Sequence, residues 1–359
     1  MLTAKPRFPV REILLVGLLP SILKKLVYRL RGYRIGRGVS FGLGSVIQGD
    51  NVELGDHVSV GFFTIIRGRN IRIAARVQIG ALSFLDTPNL ELGEGTKINE
   101  QVFVGGLQFP DSRLVVGRNC QVMQMTFINP TRSITIGDDS GIGGDCLLFG
   151  HSSWLSQFEG YPIDFDSIEI GKSVSLAWRV FVLPGTKILD GAVVGANSLV
   201  RGEIPSRCLA VGFPARVVAK APEFPRMVSD EEKRDILQNI QTEFVAHLRD
   251  AGFVCAGDRP VLSVSEPAGR RWFGRPRQWR MMVSSKGTKV LQDADADVFV
   301  SLFAIPAETR ALLTKRGIMW IDLEAKERSD AGNDLGEEFA QYLKRYGVRL
   351  FRVPEGARA

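Results

Sequence analysis

From Ile35 onward an aliphatic residue or a phenylalanine returns every sixth position, usually followed by glycine or another small residue. The series runs Ile35, Phe41, Ile47; Leu54, Val60, Ile66; Ile73, Ile79, Leu85; Leu92, Ile98, Val104; Val116, Val122, Ile128; Ile136, Ile142, Leu148; Ile170, Leu176, Val182; and Ile188, Val194, Val200. Written in threes, every departure from six falls after the third member. A period of this kind is the signature of a hexapeptide β-helix, in which each hexad is a short strand plus a turn and three hexads close one triangular coil. Eight triplets predict a mainly β domain of about eight coils over residues 35–220.

Because the slips share one register, the surplus residues must leave the prism at one corner. One is added after Ile47, Ile66 and Leu85, two after Ile128, six after Val104 and sixteen after Leu148. The position four past each aliphatic is usually small, as at Val39, Ser45, Thr64, Cys120, Thr126, Ser140, Cys146 and Val180. That residue must share a narrow interior with the large one, which accounts for the cysteines without chemistry. At the protruding corner the same position holds Asn51, Asn70 and Asn89. Asparagine tolerates the left-handed conformation and bonds to a stacked copy of itself, so these are expected to be structural.

A chain of 359 residues has room for two domains. Its four cysteines have no metal-ligand or redox spacing, as in a reducing compartment, and no apolar run is long enough to span a bilayer. The net charge of +7 is confined to residues 1–40, which hold nine bases (Lys5, Arg7, Arg11, Lys24, Lys25, Arg29, Arg31, Arg34, Arg37) against Glu12 alone. Within this segment Leu15, Leu18, Leu19, Ile22, Leu26 and Leu30 fall at helical spacing. Residues 1–34 are therefore expected to form a basic amphipathic helix, spanning about 12–31. Two roles are compatible: a cap on the first coil, and an interfacial helix on an anionic membrane.

The coils from residue 168 to 218 carry Leu183-Pro184-Gly185, Gly195-Ala196-Asn197-Ser198, Ile204-Pro205 and Gly212-Phe213-Pro214-Ala215-Arg216. In these motifs the chain resembles the hexapeptide-repeat acyltransferases, in particular the sugar O-acetyltransferases and the related enzymes of exopolysaccharide assembly. The resemblance covers roughly residues 30–220. It implies a left-handed parallel β-helix, a homotrimer, acetyl-CoA as acyl donor with no metal, and a saccharide or lipid-linked saccharide as acceptor. No nucleic-acid partner is expected. The location implied is cytoplasmic, peripheral at the inner membrane face if the helix meets lipid.

In that family a histidine at the start of a corner loop activates the acceptor hydroxyl, and here it corresponds to His151. This residue stands three past Leu148, at the mouth of the sixteen-residue insertion. A flat repeat surface has no pocket, so a loop must leave the prism to wall one, and the base belongs where the loop departs. An alcohol is a weak nucleophile near neutral pH; an imidazole within hydrogen-bond reach takes its proton as it attacks the thioester. For the donor, family positions fall on Trp178, Ala196, Arg201, Gly202, Arg216 and Lys220. Small residues let backbone amides approach the pantetheine, while Arg201, Arg216 and Lys220 suit phosphates. His57, in an ordinary hexad, and His247, outside the repeat, are expected to be structural or exposed. Two departures bear on the acceptor. The acceptor-binding asparagine of the maltose and galactoside enzymes falls at Met123, and His151 follows its aliphatic by two residues fewer than theirs.

After Lys220 the hexads stop, and Ala-Pro-Glu-Phe-Pro at 221–225 reads as a linker. Ser229 with Glu231-Glu232 signals a helix start, and the helix is expected to run to about Arg249. Strands near 253–264, 279–285, 297–303, 318–323 and 348–353, with helices near 306–316 and 334–346, predict a small α/β domain over 221–359. The run GRRWFGRPRQWR at 269–280 suits a solvated loop or an anion-binding surface. Asp322-Leu323-Glu324-Ala325-Lys326 carries an acid-x-lysine pair reminiscent of metal-dependent nucleases.

The function expected is acetyl-CoA-dependent O-acetylation of a saccharide in surface-polysaccharide or lipid-linked glycan synthesis. The alternative is a non-catalytic β-helical trimerisation scaffold displaying the C-terminal domain. A zinc enzyme of the β-helical carbonic-anhydrase type would need three imidazoles. With coils stacked about 4.8 Å apart, His57 and His151 lie roughly 19 Å from each other in one chain.

Overall fold

The computed structural model describes residues 8–152, 155–257, 260–267, 276–285, 296–330 and 332–353. They form two compact units, Met1–Met227 and Val228–Ala359. In the first, the chain visits three sheets in turn, of nine, ten and eight strands, all parallel except for a closing antiparallel hairpin in the second. Each hexad aliphatic lies opposite its counterpart one coil on, as Ile47 does to Ile66 and Leu54 to Ile73. All of them are buried except Ile35, which is half-buried in the first coil. Two sheets continue past Val200, with Ile204 and Ala210 buried in a partial further coil.

The small residues four past each aliphatic do more than fit. Thr64, Thr96, Thr126 and Ser140 donate their hydroxyls to carbonyls at Gly80, Gly117, Gly143 and Gly171, at 2.7, 2.6, 2.9 and 2.8 Å. Cys146 Sγ lies 3.2 Å from Ala177 O, and burial pushes its thiol up to about 11, so it is inert. The asparagine ladder is present, with Asn51 donating to Asn70 at 2.9 Å and Asn70 to Asn89 at 2.8 Å. These residues open strands, however, so the left-handed tolerance expected of them is not used. The left-handed turn position is instead three past the aliphatic, where His57 sits at φ 59°.

The N-terminal segment departs from a single helix over 12–31. Pro20 breaks it into helical turns at Val10–Glu12 and Ile13–Gly17 and a helix at Ser21–Leu30. The bottom of a β-helix exposes unpaired backbone groups, and this segment satisfies them. Ser21 Oγ accepts from Phe41 N at 3.0 Å, Tyr28 Oη from Ile47 N at 2.9 Å, and Tyr33 Oη from Gly49 N at 3.1 Å. Lys24, fully buried, donates to Gly42 O at 2.6 Å and Ser45 O at 3.0 Å, and burial pushes its amine down to about 8. Lys24 is therefore part of the cap and not of a lipid-facing basic surface. The leucine face points outward, with Leu14, Leu15, Leu18, Ile22, Leu26 and Leu30 all more than half exposed. Lys5 and Arg7 lie outside the described residues.

The second unit has a seven-stranded mixed sheet whose strands lie in chain order, from Val254–Ala256 to Phe351–Val353. The strand expected near 253–264 turns back on itself as Val254–Ala256 and Val261–Ser265, and Glu327–Ser329 is a strand the pattern did not signal. Helix Asp230–Asp250 starts with a reciprocal capping box between Ser229 and Glu232. Most of the basic-aromatic run, residues 269–275 with Trp272 and Phe273, lies outside the described residues. Asp322 is fully buried and accepts from Ile305 N at 2.7 Å, Ala325 N at 2.9 Å and Arg310 Nη2 at 2.7 Å. That carboxylate ties a strand to a turn and is not available to a metal; among the described residues no cluster suits one.

Candidate active site

The sixteen-residue insertion folds back on its own base. His151–Ser152 pairs antiparallel with Asp164–Phe165, so His151 faces Phe165. Gly150 N donates to Asn129 O at 2.9 Å, which keeps the departing chain on the preceding coil. His151 Nδ1 lies 3.0 Å from Asn129 Nδ2 and 3.2 Å from Thr131 Oγ1, and Thr131 donates to Asn129 Oδ1 at 2.8 Å. Both partners are buried. The protein thus engages Nδ1, and Nε2 is the nitrogen left for an acceptor. Burial lowers the His151 pKa from its ordinary value, which favours the neutral ring.

The six-residue insertion after Val104 reaches the same place. Phe109 packs edge-on against Phe165 with centroids 5.4 Å apart, and the Arg132 guanidinium lies 4.3 Å over Phe109 while pairing with Asp111 at 3.1 Å. Phe165 in turn stacks on His151 at 6.2 Å. Gly106 clears the way for Asn129, because a Cβ there would come within 2.2 Å of Asn129 Oδ1. Two insertions therefore converge on one histidine. Asn129, Thr131, Phe109, Phe165 and Arg132 escaped the motif comparison. The signal that could have found them is the shared corner of the surplus residues after Val104, Ile128 and Leu148.

The expected donor residues fall along two edges of the third sheet. Trp178 and Ala196 stand two past Leu176 and Val194, in turns of successive coils on the corner between the second and third sheets. The Trp178 ring covers Gly144, where a Cβ would come within 2.6 Å of it. Arg216 pairs with Val211 in the closing hairpin, at the same corner. Arg201 and Gly202 follow Val200 on the corner shared with His151. Lys220, at the far end of its strand opposite Cys208, is not brought to either group within one chain. His57 is a turn residue, as noted, and His247 lies 3.5 Å from Glu338 in the second unit.

No family model matches the chain. The Escherichia coli protein WcaF, whose name assigns it to colanic acid biosynthesis as an acetyltransferase, is 31% identical over 127 residues, 30% of this chain and 70% of its own. The chain belongs to the hexapeptide-repeat acyltransferases. Within them it falls in the sugar and exopolysaccharide O-acetyltransferase branch. A second Escherichia coli relative, WbbJ, named for O-acetyl transfer in lipopolysaccharide biosynthesis, is 39% identical over 114 residues, 28% of this chain. The chain spans little more than half of that relative, 58% of its length. Among solved structures, the polysialic-acid-specific acetyltransferase NeuO aligns with 52% of this chain and 86% of its own, at 19% identity and a TM-score of 0.33. In this member of the acyltransferases, Met123 sits on the corner between the second and third sheets with Sδ 3.1 Å from Asn99 Nδ2. The asparagine at the histidine is Asn129.

Proposed function

We propose that the chain is an acetyl-CoA-dependent O-acetyltransferase of surface-polysaccharide or lipid-linked glycan synthesis, with His151 as general base. The observation that carries this reading is an imidazole anchored through Nδ1 between two converging insertions. The acceptor hydroxyl gives its proton to Nε2 while its oxygen forms a bond to the thioester carbonyl carbon. The C–S bond then breaks, and the CoA sulfur leaves with that proton. Trp178, Ala196 and Arg216 on one edge, with Arg201 and Gly202 on the other, are the proposed donor contacts. Lys220 joins them only if a neighbouring chain completes the site.

The reading includes a left-handed coil and a homotrimer. The outer side of the third sheet suits burial between copies beyond Phe84, which Phe8 covers, since the half-buried Phe103, Phe127 and Phe149 stack along it at 4.9 and 5.2 Å. In the decisive experiment, acetyl transfer from acetyl-CoA to a saccharide panel is compared for wild type and His151→Ala. The variant should lose roughly 10²–10⁴-fold in rate with donor binding intact. Equal rates would end the assignment of His151.

The outward leucine face with Arg11 and Lys25 beside it supports a peripheral, cytoplasmic-leaflet location. Basic groups near an anionic surface contribute about 1 kcal/mol each. Deleting residues 1–31 would also remove the cap, so the cleaner variant is Ile22→Glu with Leu26→Glu. Wild type should co-sediment with phosphatidylserine-containing vesicles and not with phosphatidylcholine alone; the variant should remain in the supernatant with both. Failure of the wild type to bind at low salt would leave the segment as a cap only.

A further inference from the structure

The contacts around His151 hold a question of proton position. With Asn129 Nδ2 toward the ring, its N–H donates to Nδ1, Thr131 gives its proton to Asn129 Oδ1, and the neutral ring must carry its proton on Nε2. A ring in that form has no lone pair at Nε2 to take a hydroxyl proton. A half-turn of the carboxamide changes this with the same heavy atoms in place. Oδ1 then accepts from Nδ1–H, Nδ2 donates to Thr131 Oγ1, and the Nε2 lone pair is free. Only this second arrangement also accommodates the imidazolium, whose two nitrogens both donate.

We propose that Asn129, backed by Thr131, is the positioning residue of the base. Its carboxamide turns between a resting orientation that holds the proton on Nε2 and a reactive one that holds it on Nδ1. The inference rests on the acyltransferase reading for its use but not for its test. The site is built for such a device: Asn129 and Thr131 are buried, and Gly106 leaves the room a side chain would take. The surrounding charges are accounted for. Arg132 pairs with Asp111, and Asp164 accepts from Ser152 Oγ at 3.2 Å. Asp166 accepts from Ser167 N at 2.7 Å.

With only three histidines, ¹⁵N-histidine spectra read the ring of His151 directly, assigned by its loss in His151→Gln. Asn129→Asp keeps the shape but can only accept, so it should fix the proton on Nδ1 and move the His151 midpoint upward by about one pH unit or more. The acid limb of kcat/KM should move with it. Asn129→Ala should free the ring tautomer from the side chain's control and lower kcat while leaving KM for acetyl-CoA unchanged, and Thr131→Val should fall between. An Asn129→Asp spectrum and titration identical to wild type would overturn the proposal, as would a folded Asn129→Ala with an unaltered pH profile. If the spectra respond but no saccharide is acetylated, the positioning role stands and the proposed reaction fails.

Discussion

The two units of the chain use polar residues in opposite ways. In the β-helix the repeat fixes where every side chain must go, so a residue out of register is conspicuous. His151 is legible because it stands where a three-hexad rhythm is interrupted by sixteen residues. The second unit has no repeat. There an acidic residue at the end of a strand has no reference against which to be judged, and Asp322 carries a motif-like neighbourhood while serving as a buried tie between Ile305, Ala325 and Arg310. A repeat turns sequence irregularity into evidence about function; without one, the same residue types are ambiguous until their partners are seen.

The strongest challenge to that comparison is to remove Asp322. Removing one side of a buried ion pair costs about 3–5 kcal/mol; here two backbone donors lose their acceptor, and Arg310 is left with Glu327 and Ile305 O. Asp322→Ala should therefore lower the unfolding midpoint of the Val228–Ala359 unit strongly and leave acetyl-CoA binding by the β-helix untouched. Chemical denaturation followed by tryptophan fluorescence, together with donor binding, checks both halves. Loss of metal-dependent nucleolysis by an otherwise stable Asp322→Ala protein would instead revive the motif reading and erase the contrast.

Most of the β-helix was readable because burial and period are one signal. Every hexad aliphatic from Phe41 to Val200 is buried, and the small residues four positions on fill the interior beside them. The asparagine ladder was readable as a stack, but not its backbone state, since strand entry and left-handed turns favour the same residue. The partners of His151 were not readable. Asn129 and Thr131 are 22 and 20 residues away and meet the ring only through the stacking of coils. The cap was half readable: helical spacing identified an apolar stripe and left a cap and a lipid-facing helix both open, without showing which residues close the coil. The first coil's exposed N–H and C=O groups need hydrogen-bonding partners that leucine cannot supply, so Ser21, Lys24, Tyr28 and Tyr33 turn to the coil and the leucines face outward.

That polar face yields the smaller and more diagnostic prediction. Lys24 is held in the cap with its pKa lowered from 10.5 to about 8 by burial, while in the unfolded chain it keeps the ordinary value. Between about pH 8 and 10.5 the unfolded chain binds the extra proton, so Lys24 should make the wild type more stable as pH rises through this window, by at most about 1.4 kcal/mol per pH unit. The contribution is lost as pH falls through about 8. Lys24→Met removes the titration and leaves Gly42 O and Ser45 O without the amine, at a cost of about 1–3 kcal/mol. The stability gap between wild type and Lys24→Met, from urea melts at pH 7, 8, 9 and 10, should therefore widen with pH, since the neutral amine still donates. A gap constant across the series would mean that Lys24 titrates alike in both states. The end of the β-helix would then be closed by Ser21, Tyr28 and Tyr33, without help from a buried amine.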